Sequence, residues 1–95
     1  MLNEPDINAI VRAAASANLS GGSVVDVMSE PTTDSVGDAA LNIRIVLTPE
    51  STASVTGDSL LNTLMQIKRK LQEAGDVRLP IVRYATQDEL AESGD

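Results

Sequence analysis

From Ala40 to Thr48 apolar and polar residues alternate: Leu41, Ile43, Ile45 and Leu47 fall on one side, Asn42 and Arg44 on the other. A period of two belongs to a β-strand, whose successive side chains point to opposite faces. One apolar and one wet face describe a half-buried sheet. Whatever else the chain builds must cover that single apolar face.

Two helices are available for the task. Asn3 is a capping residue, Asp6 stands at the capping-box position, and Pro5 lies in a first turn where its missing N–H costs little. Leu2 and Ile7 occupy the positions of a hydrophobic staple. Ile7, Ile10, Val11 and Ala14 then follow the i, i+3, i+4, i+7 spacing of one buried helical face, to about Ala17, with Ser20-Gly21-Gly22 as the stop. The second helix is expected over Ser59–Ala74, capped by Asp58 and closed by Gly75. Leu60, Leu64, Ile67, Leu71 and Ala74 form its stripe, broadened by Leu61 and Met65. Lys68, Arg69 and Lys70 lie toward its C-terminus, where they suit the macrodipole and solvent.

Ser23–Glu30, with Val24, Val25, Val27 and Met28, reads as a strand preceding the clear one. The polar run Pro31–Asp38 between them predicts a hairpin with an extended, mobile tip over 29–40. Asp26 and Arg44 are expected to pair across the exposed face. Leu79–Tyr84 is a third strand, with Pro80 favouring an edge. Thr86-Gln87-Asp88-Glu89 forms a second capping box, opening a short helix that carries Leu90 before a polar tail at 92–95. The expected fold is therefore α+β, a single domain over 1–95 in the order α-β-β-α-β plus a short C-terminal helix. Two layers suffice: helices on one face of a three-stranded mixed or antiparallel sheet, the other face exposed or covered by a partner. The strands that bracket the second helix are expected to run parallel. The first strand lies either outside that pair or between its members. In element order the chain resembles RNA-binding folds of the KH type, but it lacks their Gly-x-x-Gly clamp and its charge has the wrong sign.

The 95 residues include seven Lys and Arg against fourteen Asp and Glu, a net charge of −7. That balance argues against direct nucleic-acid binding, whose affinity comes mostly from cations on phosphates. It has a plain reading, solubility, and a sharper one, steering toward a basic surface such as a nuclease or toxin groove. No apolar run is long enough to span a membrane. Acids at Glu4 and Asp6 stand where a signal peptide carries basic residues, so a cytoplasmic location is expected.

The chemical inventory is thin. The chain has no His, Cys, Trp or Phe. Disulfides, thiolate and imidazole catalysis, and Cys/His zinc sites are thereby excluded. Its serines and threonines have only Lys68 and Lys70 as bases, both in a charged run where neither is desolvated. Gly21-Gly22, Gly37 and Gly57 match no phosphate-binding loop. Glu30, Asp34 and Asp38 offer oxygen ligands on one connection, but the spacing is not that of a calcium loop, and a solvated hairpin tip explains them better. Asp88 with Glu89, and Asp76 near Glu73, read as a cap and as solvated surface rather than an acid/base pair. No cofactor, metal site or enzyme class is expected.

What remains are surfaces. Tyr84, the one aromatic, ends the third strand. It packs on the core with a wet hydroxyl, or joins Arg78 and Arg83 as an interaction edge. The leading expectation is a non-catalytic protein that binds and modulates another protein, as antitoxins, immunity proteins and nuclease inhibitors do. Glu30, Asp34, Asp38, Arg83, Tyr84, Asp88 and Glu89 are its candidate partner-binding residues. The alternatives are a self-assembling homo-oligomeric subunit and a domain binding a small molecule or a divalent metal.

Overall fold

The computed structural model of the chain describes residues 2–19, 22–53 and 55–88. It is an α+β structure, with two helices and a three-stranded mixed sheet. Helix α1 spans Glu4–Asn18. Asn3 caps it as the sequence predicts, its side-chain oxygen accepting from the Asp6 N–H at 3.1 Å. Ile7, Val11, Ala14 and Ala15 are its buried residues. At its far end the Asn18 amide donates to Ala14 O and to Gln66 Oε1 of the second helix, both at 2.8 Å.

Strands β1 (Val24–Thr33) and β2 (Ala39–Leu47) pair antiparallel through Thr33↔Ala39. The extended loop expected over 29–40 is thus corrected to a five-residue turn, 34–38. Pro31 does not break the pairing, because an edge strand has no outer hydrogen bond to lose. Asp34 closes the turn: its Oδ1 accepts from the Val36 N–H at 3.0 Å and the Asp38 N–H at 2.9 Å. Gly37 takes the positive φ of +88° that the turn requires.

The register also corrects the expected pairing of Asp26 with Arg44. The ladder shifts between Val24 and Asp26, so that Asp26 faces Val46 and Met28 faces Arg44. Such a bulge leaves one residue unpaired and re-aims its neighbours. Asp26 instead meets Arg12 of α1 at 3.6 Å.

Helix α2 spans Gly57–Glu73, after a 3-10 turn at Pro49–Ala53. Its cap is Thr56, not Asp58. Thr56 Oγ1 accepts from the Ser59 N–H and Ser59 Oγ accepts from the Thr56 N–H, each at 3.1 Å. Asp58 falls inside the first turn, where its charge acts only on the dipole. Thr56→Ala is expected to cost about 1 kcal/mol and Asp58→Ala less, measured by urea unfolding. The buried stripe is also narrower than predicted: Thr63, Ile67 and Leu71 are buried, whereas Leu61 and Met65 face outward at 54% and 60% exposure. Gly75, at φ +88°, ends the helix in a Schellman motif, with the Asp76 N–H on Leu71 O and the Gly75 N–H on Gln72 O.

Strand β3 (Leu79–Thr86) runs parallel to β2, giving the order β1-β2-β3. The clear strand is therefore the central one and β1 lies outside the parallel pair. Leu41, Ile43, Ile45 and Leu47 turn their side chains into one cluster with Ile7, Val11, Val27, Ile67 and Leu71. β3 is the last complete element. Gln87 and Asp88 are helical, and the rest of the expected C-terminal helix and the tail lie outside the described residues.

Candidate functional site

The sheet face turned away from that cluster is laid out in rows by the register. Asp26, Val46 and Ala85 form one row, Met28, Arg44 and Arg83 the next, then Glu30, Asn42 and Ile81, then Thr32, Ala40 and Leu79. On this face Ala40 and Val46 are buried. Met28 and Leu79 stand 41% and 44% exposed on it.

Glu30 sits on this face, its Oε1 3.4 Å from the Asn42 amide nitrogen. Where the face meets the edge of β1, Glu30 and Glu4 of α1 line one depression of about 430 Å³, together with Met28, Ser29, Asn42 and Arg44. Ser29 is fixed there by donating to Asn8 Oδ1 at 2.7 Å. Asp34 and Asp38 lie beyond, on the turn. The Asp34 carboxylate is committed to its own backbone, while Asp38 is exposed. Among the described residues Glu4, Glu30, Asp34 and Asp38 form no ion pair. Sequence spacing brings out three of these four acids; Glu4 joins them only because α1 starts beside β1.

Of the two readings of Tyr84, the structure takes the one in which its ring packs on the core, and Arg78, Arg83 and Tyr84 do not share an edge. Arg83 is exposed on the open face beside Arg44. Tyr84, two strand positions from Val82, packs against the core cluster. Its hydroxyl is buried without a hydrogen-bond partner rather than wet. Burial pushes the phenol above its usual range, with Thr63 acting weakly in the other direction. Asp88 is exposed just past β3, and Glu89 lies outside the described residues.

Arg78 belongs to a different arrangement, one that corrects the reading of Asp76 as solvated surface. Asp76 is fully buried. Its carboxylate accepts from Arg78 Nη2 at 2.6 Å and Nε at 2.9 Å, from the Arg78 N–H at 3.1 Å and from the Leu2 N–H at 3.2 Å. Arg78 Nη2 also donates to Leu2 O at 3.1 Å. The pair thus clasps the start of the chain to the α2–β3 connection. Its guanidinium hydrogen bonds hold the Asp76 carboxyl well below the usual carboxylate range, against the opposing effect of burial. The local signal is Gly75-Asp76-Val77-Arg78, an acid directly after a helix stop and two residues before a cation. Every polar atom of this carboxylate is used in holding the fold, which leaves it no free lone pair aimed at a ligand.

Among the described residues no three acidic side chains converge to hold a metal ion. Nor is any described helix long and apolar enough to cross a membrane. The arrangement offers charge and shape rather than a reacting group: an acidic edge of Glu4, Glu30 and the hairpin turn, next to an open sheet face. No protein-family model matches the sequence, and no curated protein is similar to it.

Proposed function

We propose that the chain is a small, acidic, non-catalytic protein that binds and modulates another protein through a basic surface on that partner, in the manner of antitoxins, immunity proteins and nuclease inhibitors. The observation that carries this reading is the acidic edge. Glu4 and Glu30 share one depression, and Asp34 and Asp38 extend the same charge onto the turn, with no ion pair among the described residues to neutralise any of them. Among the described residues Arg44 is the one cation lining that depression. Unpaired exposed acids cost the fold little and are free to meet cations, and desolvating them against a cationic surface gives both steering and register.

The test keeps the fold and removes the charge. Asp34→Asn with Asp38→Asn preserves the amide-like acceptor that closes the turn. That double variant is expected to weaken binding of the isolated partner about tenfold or more in calorimetric titration, with a shallower dependence on salt. Truncation after Leu90 removes the acids of the tail and reports separately on their share. Affinity and salt dependence unchanged in both variants would sink the electrostatic reading.

A further inference from the structure

We propose that the outer edge of β3 docks an extended segment of a partner protein, which joins the sheet as a fourth strand. The observation that carries this is a core closed on one side and open on the other. In the two central rows of the core-facing side, Ser29 on β1 and Ile43 on β2 are 4% and 0% exposed, and Val27 and Ile45 are the same. The β3 members of those rows, Val82 and Tyr84, pack against the same core yet stay only partly buried.

The helices explain the difference. α1 packs on β1 and is tied to it through Ser29 with Asn8 and Asp26 with Arg12, which closes the core on that side. α2 packs on α1 and β3. Gln66, bonded to Asn18, marks the side of α2 that meets α1. At about 100° per residue Leu61, Leu64 and Lys68 fall on the opposite side of the helix, above the outer edge of β3. Leu61 is exposed there and Leu64 partly buried. Among the described residues no strand lies beyond β3. An edge strand leaves alternate backbone N–H and C=O groups unpaired on its outer side. Leu61 and Leu64 above, that backbone below, and the flanks of Val82 and Tyr84 between them form a step.

The step defines its occupant. Side chains of an added strand alternate between the two faces of the sheet. Those on the helix side meet Leu61, Leu64, Val82 and Tyr84, and are apolar. Those on the other side lie beside Arg83, which has no ion pair among the described residues and stands next to Arg44 in register. An acid opposite Arg83 supplies a favourable cross-strand pair and answers that repulsion. Pro80 has no N–H to donate, so pairing runs over 81–85. A second copy fits poorly. Setting β3 about 4.8 Å from its own copy would bring together two α2 helices that need 8–10 Å between axes. Main-chain bonds supply the affinity of such a contact, and the alternating side chains its specificity. The site lies across the sheet from the acidic edge and does not rest on it.

The probe is the peptide acetyl-Val-Thr-Val-Glu-Val-Thr-amide, titrated into the full chain. Tyr84, the one aromatic, reports binding by its fluorescence, and amide hydrogen exchange locates it. The wild type is expected to bind with a dissociation constant of about 0.1 mM, and exchange over 81–85 to slow about tenfold or more. Methylating alternate backbone nitrogens of the peptide is expected to abolish binding. Arg83→Glu is expected to weaken it about tenfold, and a peptide with Lys in place of Glu to recover most of that loss on this variant. Leu61→Ser, at an exposed position, weakens binding with the fold intact by circular dichroism. Asp34→Asn with Asp38→Asn must leave peptide binding unchanged, which separates this test from that of the acidic edge. No binding up to about 1 mM peptide overturns the proposal. So does binding that survives methylation or Arg83→Glu, or protection that falls on 24–33 instead. Protection of 81–85 that grows with protein concentration alone would put a second copy at the edge and equally overturn it.

Discussion

Asp76→Ala is expected to destabilise the fold by about 3–5 kcal/mol, the largest effect of any single polar substitution in the chain. Asp76 is fully buried, and the Arg78 side chain it faces is only 9% exposed. Removing the carboxylate leaves that guanidinium desolvated without its counter-charge and orphans the Leu2 and Arg78 N–H groups that it accepts from. The pair therefore matters less for what it adds than for what its disruption costs. Urea unfolding of wild type and variant at neutral pH measures the difference.

The same carboxylate gives the fold an acid limit. Because the folded-state pKa of Asp76 is depressed, its contribution is complete above the unfolded-state value near 4 and is lost as the pH falls below it. Wild-type stability is expected to drop from about pH 5 downward, while Asp76→Asn, already destabilised, falls less steeply through the same window. Parallel acid profiles for the two proteins would show that Asp76 is not held by Arg78 as the structure places it.

Ile43→Ala carries the second large effect, about 2–5 kcal/mol, against less than about 1 kcal/mol for Arg44→Ala next to it. Ile43 is fully buried in the middle of the central strand, between Ser29 of β1 and Val82 of β3. Its removal leaves a cavity under both helices that a two-sided β-ladder cannot collapse to fill. Arg44 points to the open face and loses only solvated contacts. A one-residue slip would exchange the two environments, so equal effects would contradict the register itself.

The same alternation explains why the central strand was legible in the sequence: the period of two in 40–48 is a property of the residues alone. The α1 cap was legible for a similar reason, since Asn3, Pro5 and Asp6 act within one turn. Features that depend on distant segments were not. Thr56 and Asp58 are both acceptable caps, and the 3-10 turn that delivers the chain decides between them. The bulge near Val25 has no local marker, and it moves Asp26 out of reach of Arg44. Leu61 and Met65 extend an apolar stripe on paper, but α2 packs mainly against α1 and β3, and that side faces outward. Asp76 reads as a surface acid because Leu2, 74 residues away in sequence, completes its site only in the fold.

The candidate site divides along the same line. Glu30, Asp34 and Asp38 are visible as a run of acids, and the structure leaves Glu30 and Asp38 exposed as such a run implies. What the run does not disclose is that Asp34 closes its own turn, that Glu4 stands across a depression from Glu30, or that Arg83 and Tyr84 part to opposite faces.

The central claim, that an acidic edge engages a basic protein, is tested most directly by parallel affinity capture from the native host. Tagged wild type is compared with a variant carrying Glu30→Gln, Asp34→Asn and Asp38→Asn, each washed at low and at high salt, and the retained proteins are identified by mass spectrometry. The account predicts a basic protein held by the wild type at low salt, shed at high salt, and missing from the variant. The same set of proteins retained by both baits, or none of them basic, would contradict it.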